Sequence, residues 1–337
     1  MIVTVPRALE RARDLILPEL TREVEHLTPS VRSVAAYHLG LADAGGRPST
    51  GNGGKAIRPA LALLSAEAVG SSWDAALPGA VAVELVHNFS LLHDDVMDRD
   101  RERRHRATAW AVFGEPAAIL AGDALLVIAY RCLLERPSRV RVAAAKVLSE
   151  ATARMIAGQS EDVAFEADDT ITVERCLRMM GDKTGALLSC AASIGAVLAE
   201  AAEPQVEALA AFGSHLGLSF QAVDDLLGIW GDPEVTGKPA ANDLRERKKS
   251  LPVAAALGAG GPGARKLRGL LTREAIGDDQ VAEAARLVEH LGGRDRARAV
   301  AERELGRCLE ALSGESLAEP ARSELEDMAR FVVEREF

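Results

Sequence analysis

Two acidic stretches define the chemistry open to this chain. Leu91 to Asp98 reads LLHDDVMD, and Phe220 to Asp232 reads FQAVDDLLGIWGD. Both lie in runs with helical apolar spacing, so Asp94 and Asp98 fall one turn apart on a common face, with Asp95 beside them. Carboxylates packed this way repel one another unless a hard cation holds them. Mg²⁺ suits the task, because it takes oxygen ligands and keeps waters and substrate phosphates in its shell. The pattern predicts two helices that present acids and clamp a phosphorylated substrate through metal. A solvated acidic helix face is the other reading of a single DDxxD. The second pair, Asp224 and Asp225, with basic motifs between, favours the clamp.

Cationic residues cluster around these acids in the sequence. Lys55 and Arg58 end the Gly-rich stretch AGGRPSTGNGG and lead into a helix, whose exposed N–H groups and dipole also favour anions. Arg103 and Arg104 follow Asp98 within the loop RDRERRHRAT. Guanidinium groups grip diphosphate oxygens in bidentate fashion; Arg99, Arg101 and Arg106 read as mostly solvated charge. His87 lies two turns before Asp94 on the same face and can offer an N–H to a phosphate oxygen. Lys183 and Thr184 interrupt the apolar run MMGDKTGALLSCAASIGAVLA, and Gln221 precedes Asp225 by one turn. Polar groups set into apolar helices need partners, and a phosphate supplies one. Lys238, in the loop GDPEVTGKPAAN, and Lys248 beyond it complete the set.

The elements that carry these residues are helices. Apolar residues make up 48% of the 337-residue chain and aromatics only 4%, with Ala, Leu and Val dominant, which favours helix over strand. Amphipathic helices are expected from Pro6 to Leu41, with Leu9, Leu15, Leu20, Val24 and Leu27 on one side. Others are expected from Arg58, from Pro78 to Asp98, and over Pro116–Leu134, Ser138–Phe165, Thr172–Glu200 and Pro204–Trp230, with further pieces after Asn242. Residues 1–337 thus read as a single all-α domain of ten or more helices, the acidic ones facing one central cavity. A net charge of −10 argues against a nucleic-acid partner and against a basic membrane-surface protein. Cys132, Cys176, Cys190 and Cys308 show no CxxC pairing, so buried thiols in a reducing cytoplasm are expected. No uninterrupted apolar run reaches the ~18 residues of a membrane span, and the N-terminus lacks a signal-peptide pattern. A cytoplasmic protein without a membrane span is the expectation.

Taken together, GGKAIRP at Gly53–Pro59, VHNFSLLHDDVMD, RRHRAT, GQSED at Gly158–Asp162, KTGALL from Lys183, FQAVDDLLGIWGDPEVTGK and DLRERKKSLP resemble the trans-type isoprenyl diphosphate synthases, or polyprenyl synthetases. The motifs span about sixty per cent of the chain. The resemblance implies an isoprenoid synthase fold, a homodimer, and condensation of isopentenyl diphosphate with an allylic prenyl diphosphate. It implies Mg²⁺, three ions per site, with Mn²⁺ as an alternative. Asp94, Asp95, Asp98, Asp224 and Asp225 would be metal ligands. Arg103, Lys183, Thr184, Gln221, Lys238 and Lys248 would contact the allylic diphosphate, and Lys55, Arg58, His87 and Arg104 the isopentenyl diphosphate. The acids and Lys183 would be catalytic, stabilising the departing diphosphate. Two departures stand out. Gly228 replaces the last aspartate of the second motif, with Asp232 a turn later as a water-mediated substitute, and Ala107 replaces a proline, which should loosen its loop.

In this family product length depends on the residues just before the first acidic motif, here Phe89 and Ser90. Ser90 leaves room one turn under Asp94, and Phe89 narrows the bore. One helical turn, about 5.4 Å, is comparable to an isoprene unit. A short product follows: geranylgeranyl diphosphate (C20) first and farnesyl diphosphate (C15) second. A class I terpene cyclase would need only one diphosphate site and normally carries an Asn/Ser/Glu motif where Asp224 and Asp225 stand. A non-catalytic subunit of a heteromeric synthase tends to lose motifs that are kept here.

Overall fold

The structure, a computed structural model, describes residues 6–49, 54–165, 168, 170–232, 241–273 and 276–334. The chain runs α1 (Arg7–Glu25), α2 (Pro29–His38), α3 (Ile57–Ala68), α4 (Trp73–Met97), a hairpin of β1 (Glu102–Arg103) and β2 (Arg106–Ala107), α5 (Ala109–Phe113), α6 (Glu115–Leu134) and α7 (Arg139–Phe165). Next come α8 (Val173–Met180), a π-helical turn (Gly181–Gly185), α9 (Ala186–Leu198), α10 (Glu203–Trp230), α11 (Asn242–Arg245) and α12 (Leu251–Gly258). The last helices are α13 (Gly261–Leu271), α14 (Asp278–His290), α15 (Gly293–Ala311) and α16 (Ala321–Glu334). The all-α expectation holds, with a two-residue-strand hairpin as the only sheet among the described residues.

The two acidic motifs come to one cavity because both of their helices pack on the deeply buried α9. α4 packs against α3, α6 and α9, while α10 packs against α9 and α15. The main core runs through all of these, and a smaller one lies beneath α12, α13 and α14, joined to it through α10 and α12.

Several boundaries differ from the sequence expectation. α4 starts at Trp73, before Pro78, and the proline sits inside the helix, in its second turn, where it forgoes one i→i−4 hydrogen bond. The predicted helix over Thr172–Glu200 is broken at GDKTG by the π turn. In α1 the buried stripe is Leu9, Ile16, Leu20 and Val24; Leu15 falls outside it and is 40% exposed. Two helices, α4 and α6, are long and apolar enough on average to cross a bilayer, which a search for an unbroken apolar run overlooks. For α4 that apolar window is 72% buried, so it serves the core; for α6 it is 44% buried, leaving Ile119, Leu120 and Val127 exposed. The four cysteines are buried and unpaired.

Candidate active site

Between α4 and α10 lies a cavity of about 1300 Å³. Its upper part is lined by Asp94, Asp98, Arg103, Lys183, Thr184, Gln221, Asp224 and Lys248, and its rim by Lys55, Arg58, His87 and Arg104. Lower down it is walled by Phe89, Ser90, Leu126, Met155, Ile156 and Leu187. Of the seventeen residues predicted for metal, diphosphate or chain length, fourteen line this cavity, Asp95 and Asp225 brace it, and Lys238 lies outside the described residues.

Within each motif the two adjacent aspartates part company, because neighbours on a helix point about 100° apart. Asp94 and Asp98 face the cavity, whereas Asp95 turns into the protein and its Oδ1 accepts from Arg103 Nε at 2.6 Å. Asp224 faces the cavity. Asp225 is buried, its Oδ1 accepting from Gln221 Nε2 at 3.0 Å and its Oδ2 from the Leu251 backbone N–H at 2.8 Å. Asp95 and Asp225 are therefore not brought to the cavity surface as the motif alone suggests. Each ties its helix to the next basic segment, Asp95 to the hairpin that carries Arg103 and Arg104, Asp225 to the turn that carries Lys248.

The loop RDRERRHRAT is an ordered hairpin. Arg103 pairs with Arg106 and Glu102 with Ala107, and the two turn residues, Arg104 (φ 52°) and His105 (φ 61°), take the left-handed conformation of a type I′ turn without glycine. Tyr37 Oη donates to the Ala107 carbonyl at 2.7 Å, so the loop is not loose at Ala107. Of the five other non-glycine residues with positive φ among the described residues, Ala56, Arg99, Ala241 and Arg247 each stand within two residues of a site or bracing side chain, and Glu200 lies beyond the end of α9. Such conformations persist where surrounding contacts over-determine them.

Lys183 and Thr184 owe their reach to the π turn, which adds a residue to the helical circuit and bulges both side chains into the cavity. The bulge backs onto Gly158 of α7, where a Cβ would come within 2.7 Å of Lys183 Cα. Lys183 Nζ lies 2.5 Å from Asp162 Oδ2, and Thr184 Oγ1 donates to Gln221 Oε1 at 2.8 Å. The GQSED motif thus seats the π turn through Gly158 and orients its lysine through Asp162.

Gly228 has a physical explanation. A Cβ there would come within 2.5 Å of Asp243 Oδ1, so the Asp243 carboxylate, reaching over from α11, occupies the space that a side chain at 228 would enter. The space of the missing side chain is thus filled by a carboxylate from a different helix. Asp232 is exposed just past the end of α10 and is not among the cavity residues.

The acids are held under electrostatic tension. Burial pushes Asp94 up to about 6, with Lys183 opposing the shift and Asp98 adding to it. Burial also raises Asp98, Asp95 and Asp225, and drives Asp243 up to about 7. Burial alone would lower Lys248, but the carboxylates of Asp243, Asp162, Asp225 and Asp224 outweigh it and hold the ammonium firmly charged. At the rim, burial brings Arg58 down to about 10 despite Glu84, and lowers His87 well below the usual imidazole range, aided by Arg58 and Arg104. His87 is therefore neutral at pH 7 and keeps one N–H to donate. Among the described residues no three His, Cys or acidic groups form a ready-made metal cage. The cavity-facing acids Asp94, Asp98 and Asp224 nevertheless suit Mg²⁺: they are hard oxygen donors from two helices, burial disfavours the metal-free ionised forms of Asp94 and Asp98, and substrate oxygens and water can complete the shell.

Residues 47–288 match the family model described as polyprenyl synthetase. The chain belongs to the polyprenyl synthetase family. Its relatives include the (2E,6E)-farnesyl diphosphate synthase of Mycobacterium tuberculosis, 47% identical over 337 residues, or 99% of this chain and 94% of that one. The geranylgeranyl diphosphate synthase of the same organism is 43% identical over 306 residues, covering 90% and 87% of the two chains. The crystal structure of a polyprenyl synthetase from Streptomyces coelicolor A3(2) superposes with a TM-score of 0.92 at 50% identity, covering 98% of this chain and all (100%) of that one. A geranylgeranyl pyrophosphate synthase from Corynebacterium glutamicum, complexed with isoprenyl diphosphate and magnesium, gives a TM-score of 0.85 at 25% identity over 98% and 99% of the chains.

In this polyprenyl synthetase the cavity also gathers residues that the sequence motifs do not single out. Arg13 of α1 lines the rim and donates to the Gly54 carbonyl at 3.3 Å, and His105 and Gln159 line the cavity. Arg13 carries no local signal, because its helix is distant in sequence from every motif. Gln159 and Asp162 were in view within GQSED, and Asp243 within DLRERKKSLP; their roles depend on packing.

Proposed function

We propose that this polyprenyl synthetase is a short-chain trans-prenyltransferase that joins isopentenyl diphosphate to allylic diphosphates of C5 to C15. The observation that carries the reading is a cavity of about 1300 Å³ that brings together acids of both motifs, the cations Lys55, Arg58, Arg103, Arg104, Lys183 and Lys248, and an apolar wall. This exceeds the roughly 300–1,000 Å³ of an ordinary ligand pocket and leaves room for two substrates. Asp94, Asp98 and Asp224 would hold Mg²⁺, with Mn²⁺ as the alternative, and Asp243 adds negative charge beside Gly228. When bound, the metal neutralises charge that develops on the allylic leaving group.

The chain's own residues do the rest. Lys183, Lys248 and Arg103 bind the allylic diphosphate and stabilise it as the C–O bond ionises. Thr184 and Gln221, already hydrogen-bonded to each other, orient it. Lys55, Arg58, Arg104 and neutral His87 hold isopentenyl diphosphate so that its double bond meets the cation, and Arg13 adds a further positive charge at that rim. The apolar walls exclude water, and a diphosphate oxygen takes the proton lost in the last step, so no protein base is required.

Room beside Ser90 supports geranylgeranyl diphosphate as product. Farnesyl diphosphate is the second reading, favoured by the buried Phe89 ring and by the 47%-identical farnesyl synthase. We further read residues 1–337 as one domain and the assembly as a homodimer, supported by exposed Ile119, Leu120 and Val127 on α6. Four unpaired buried thiols accord with a cytoplasmic location. Incubation with Mg²⁺, labelled isopentenyl diphosphate and each of the C5, C10 and C15 starters tests the reading. Chain-extended diphosphates are expected. Cyclised hydrocarbons would indicate a cyclase, and no turnover a non-catalytic subunit.

A further inference from the structure

Phe89, the side chain that the sequence reading places across the path of the growing product, is itself held in place. Phe89 lines the cavity and is only 7% exposed. One turn later on α4, the His93 ring meets it edge to face, with centroids 4.9 Å apart and planes at 70°. His93 Nε2 lies 3.0 Å from the Ile119 carbonyl of α6. A carbonyl can only accept, so Nε2 carries the proton, and that hydrogen bond fixes both tautomer and ring orientation. The seat for the ring is Gly122, where a Cβ would come within 2.5 Å of His93 Cδ2. Asp123, 3.7 Å from His93 Nε2, and Leu126 continue the same wall down α6.

We propose that His93 is a positioning residue for product length, pinning the Phe89 ring across the shaft while Ile119 and Gly122 of α6 pin His93. A helical phenylalanine has two accessible χ1 wells, and a fixed neighbour one turn away selects between them. The shaft's bore is then set jointly by α4 and α6. Phe89 alone, read from the sequence, is half of the device. The inference rests on the prenyltransferase reading and on Phe89 as a wall of the shaft.

Products of the wild type and of Phe89→Ala, His93→Ala, His93→Phe, Gly122→Ala and the Phe89→Ala/His93→Ala double variant, separated by reverse-phase chromatography at matched turnover, test it. His93→Ala should raise the ratio of longer to shorter product roughly two- to tenfold, the range that follows from losing one aromatic edge contact. Gly122→Ala, which pushes the imidazole from its seat, should shift the ratio the same way. The double variant should give no longer product than Phe89→Ala alone, and His93→Phe, which keeps a ring, should stay nearer the wild type. A lower melting temperature with an unchanged product ratio would mark His93 as merely structural and overturn the proposal. So would additive lengthening in the double variant. An unchanged ratio in Phe89→Ala would instead remove Phe89 from the wall, and absence of chain-extended product in the wild type would reject the enzymatic reading itself. Should His93→Ala fail to fold, Gly122→Ala and His93→Phe decide by the same ratio.

Discussion

At the scale of residues, the two acidic motifs follow one plan: the first aspartate of each adjacent pair faces the cavity and the second braces a neighbouring basic segment. Replacing Asp94 by Ala should lower kcat/KM by roughly 10²–10³, the usual loss for an electrostatic contact made in the transition state. Asp232→Ala should cost little, since Asp232 is exposed beyond the helix end. Equal, mild losses in a steady-state assay with Mg²⁺ would contradict the assignment. Gly228→Asp, which restores the ideal motif, should destabilise the protein, because its side chain enters the space of the Asp243 carboxylate. Adding Asp243→Gly should recover the melting temperature, and a double variant as unstable as the single one would show that the two sites do not share that space. The raised Asp94 also carries a pH signature. Its folded value of about 6 lies above the ordinary carboxylate value, so its contribution to metal-free stability is complete below ~pH 4 and is lost as pH rises through 6. Mg²⁺ with inorganic diphosphate relieves the ionised form, so their stabilisation in thermal scans should be larger at pH 7.5 than at pH 5. Equal shifts at both would argue against Asp94 as a ligand.

At the scale of elements, short irregular segments place the cations. The hairpin holds Arg103 and Arg104 by two non-glycine positive-φ residues, and Tyr37 fastens its second strand to α2. Tyr37→Phe removes one hydrogen bond, worth about 1 kcal/mol. It should raise KM for isopentenyl diphosphate a few-fold with kcat nearly unchanged; an equal fall in kcat would point to a role in the chemical step. The π turn works similarly for Lys183 and Thr184. Gly158→Ala would press a methyl against the Lys183 backbone, and a substantial activity loss that Lys183→Ala does not deepen would show the two residues act as one unit.

At the scale of the whole molecule, α6 has two faces. One buries Ala118, Ala121, Leu125 and Ile128 against α4, and the other leaves Leu120 at 58% and Val127 at 66% exposure. An apolar face of this kind on a cavity-bearing helix is the surface on which the proposed homodimer would form. Leu120→Glu with Val127→Glu should yield a monomer in light scattering, and an unaltered dimer would place the subunit contact elsewhere. Because Ile119 and Gly122 on the same helix seat His93, the monomer should also show a changed product ratio.

The sequence by itself determined the helical class, the two acidic motifs, the cationic set and the order in which they come, because helical periodicity and residue chemistry are local properties. It also marked Gly228 as a departure and Phe89 as a constriction. Only the tertiary structure decided which aspartates face the cavity, since helix rotation is set by packing against α3, α9 and α15. It alone brought Asp243 against Gly228, Arg13 to the rim and His93 onto Ile119, all contacts between elements that lie apart in the chain. The π turn and the ordered hairpin were likewise hidden, because each depends on a close approach, at Gly158 and at Tyr37, that no local spacing encodes.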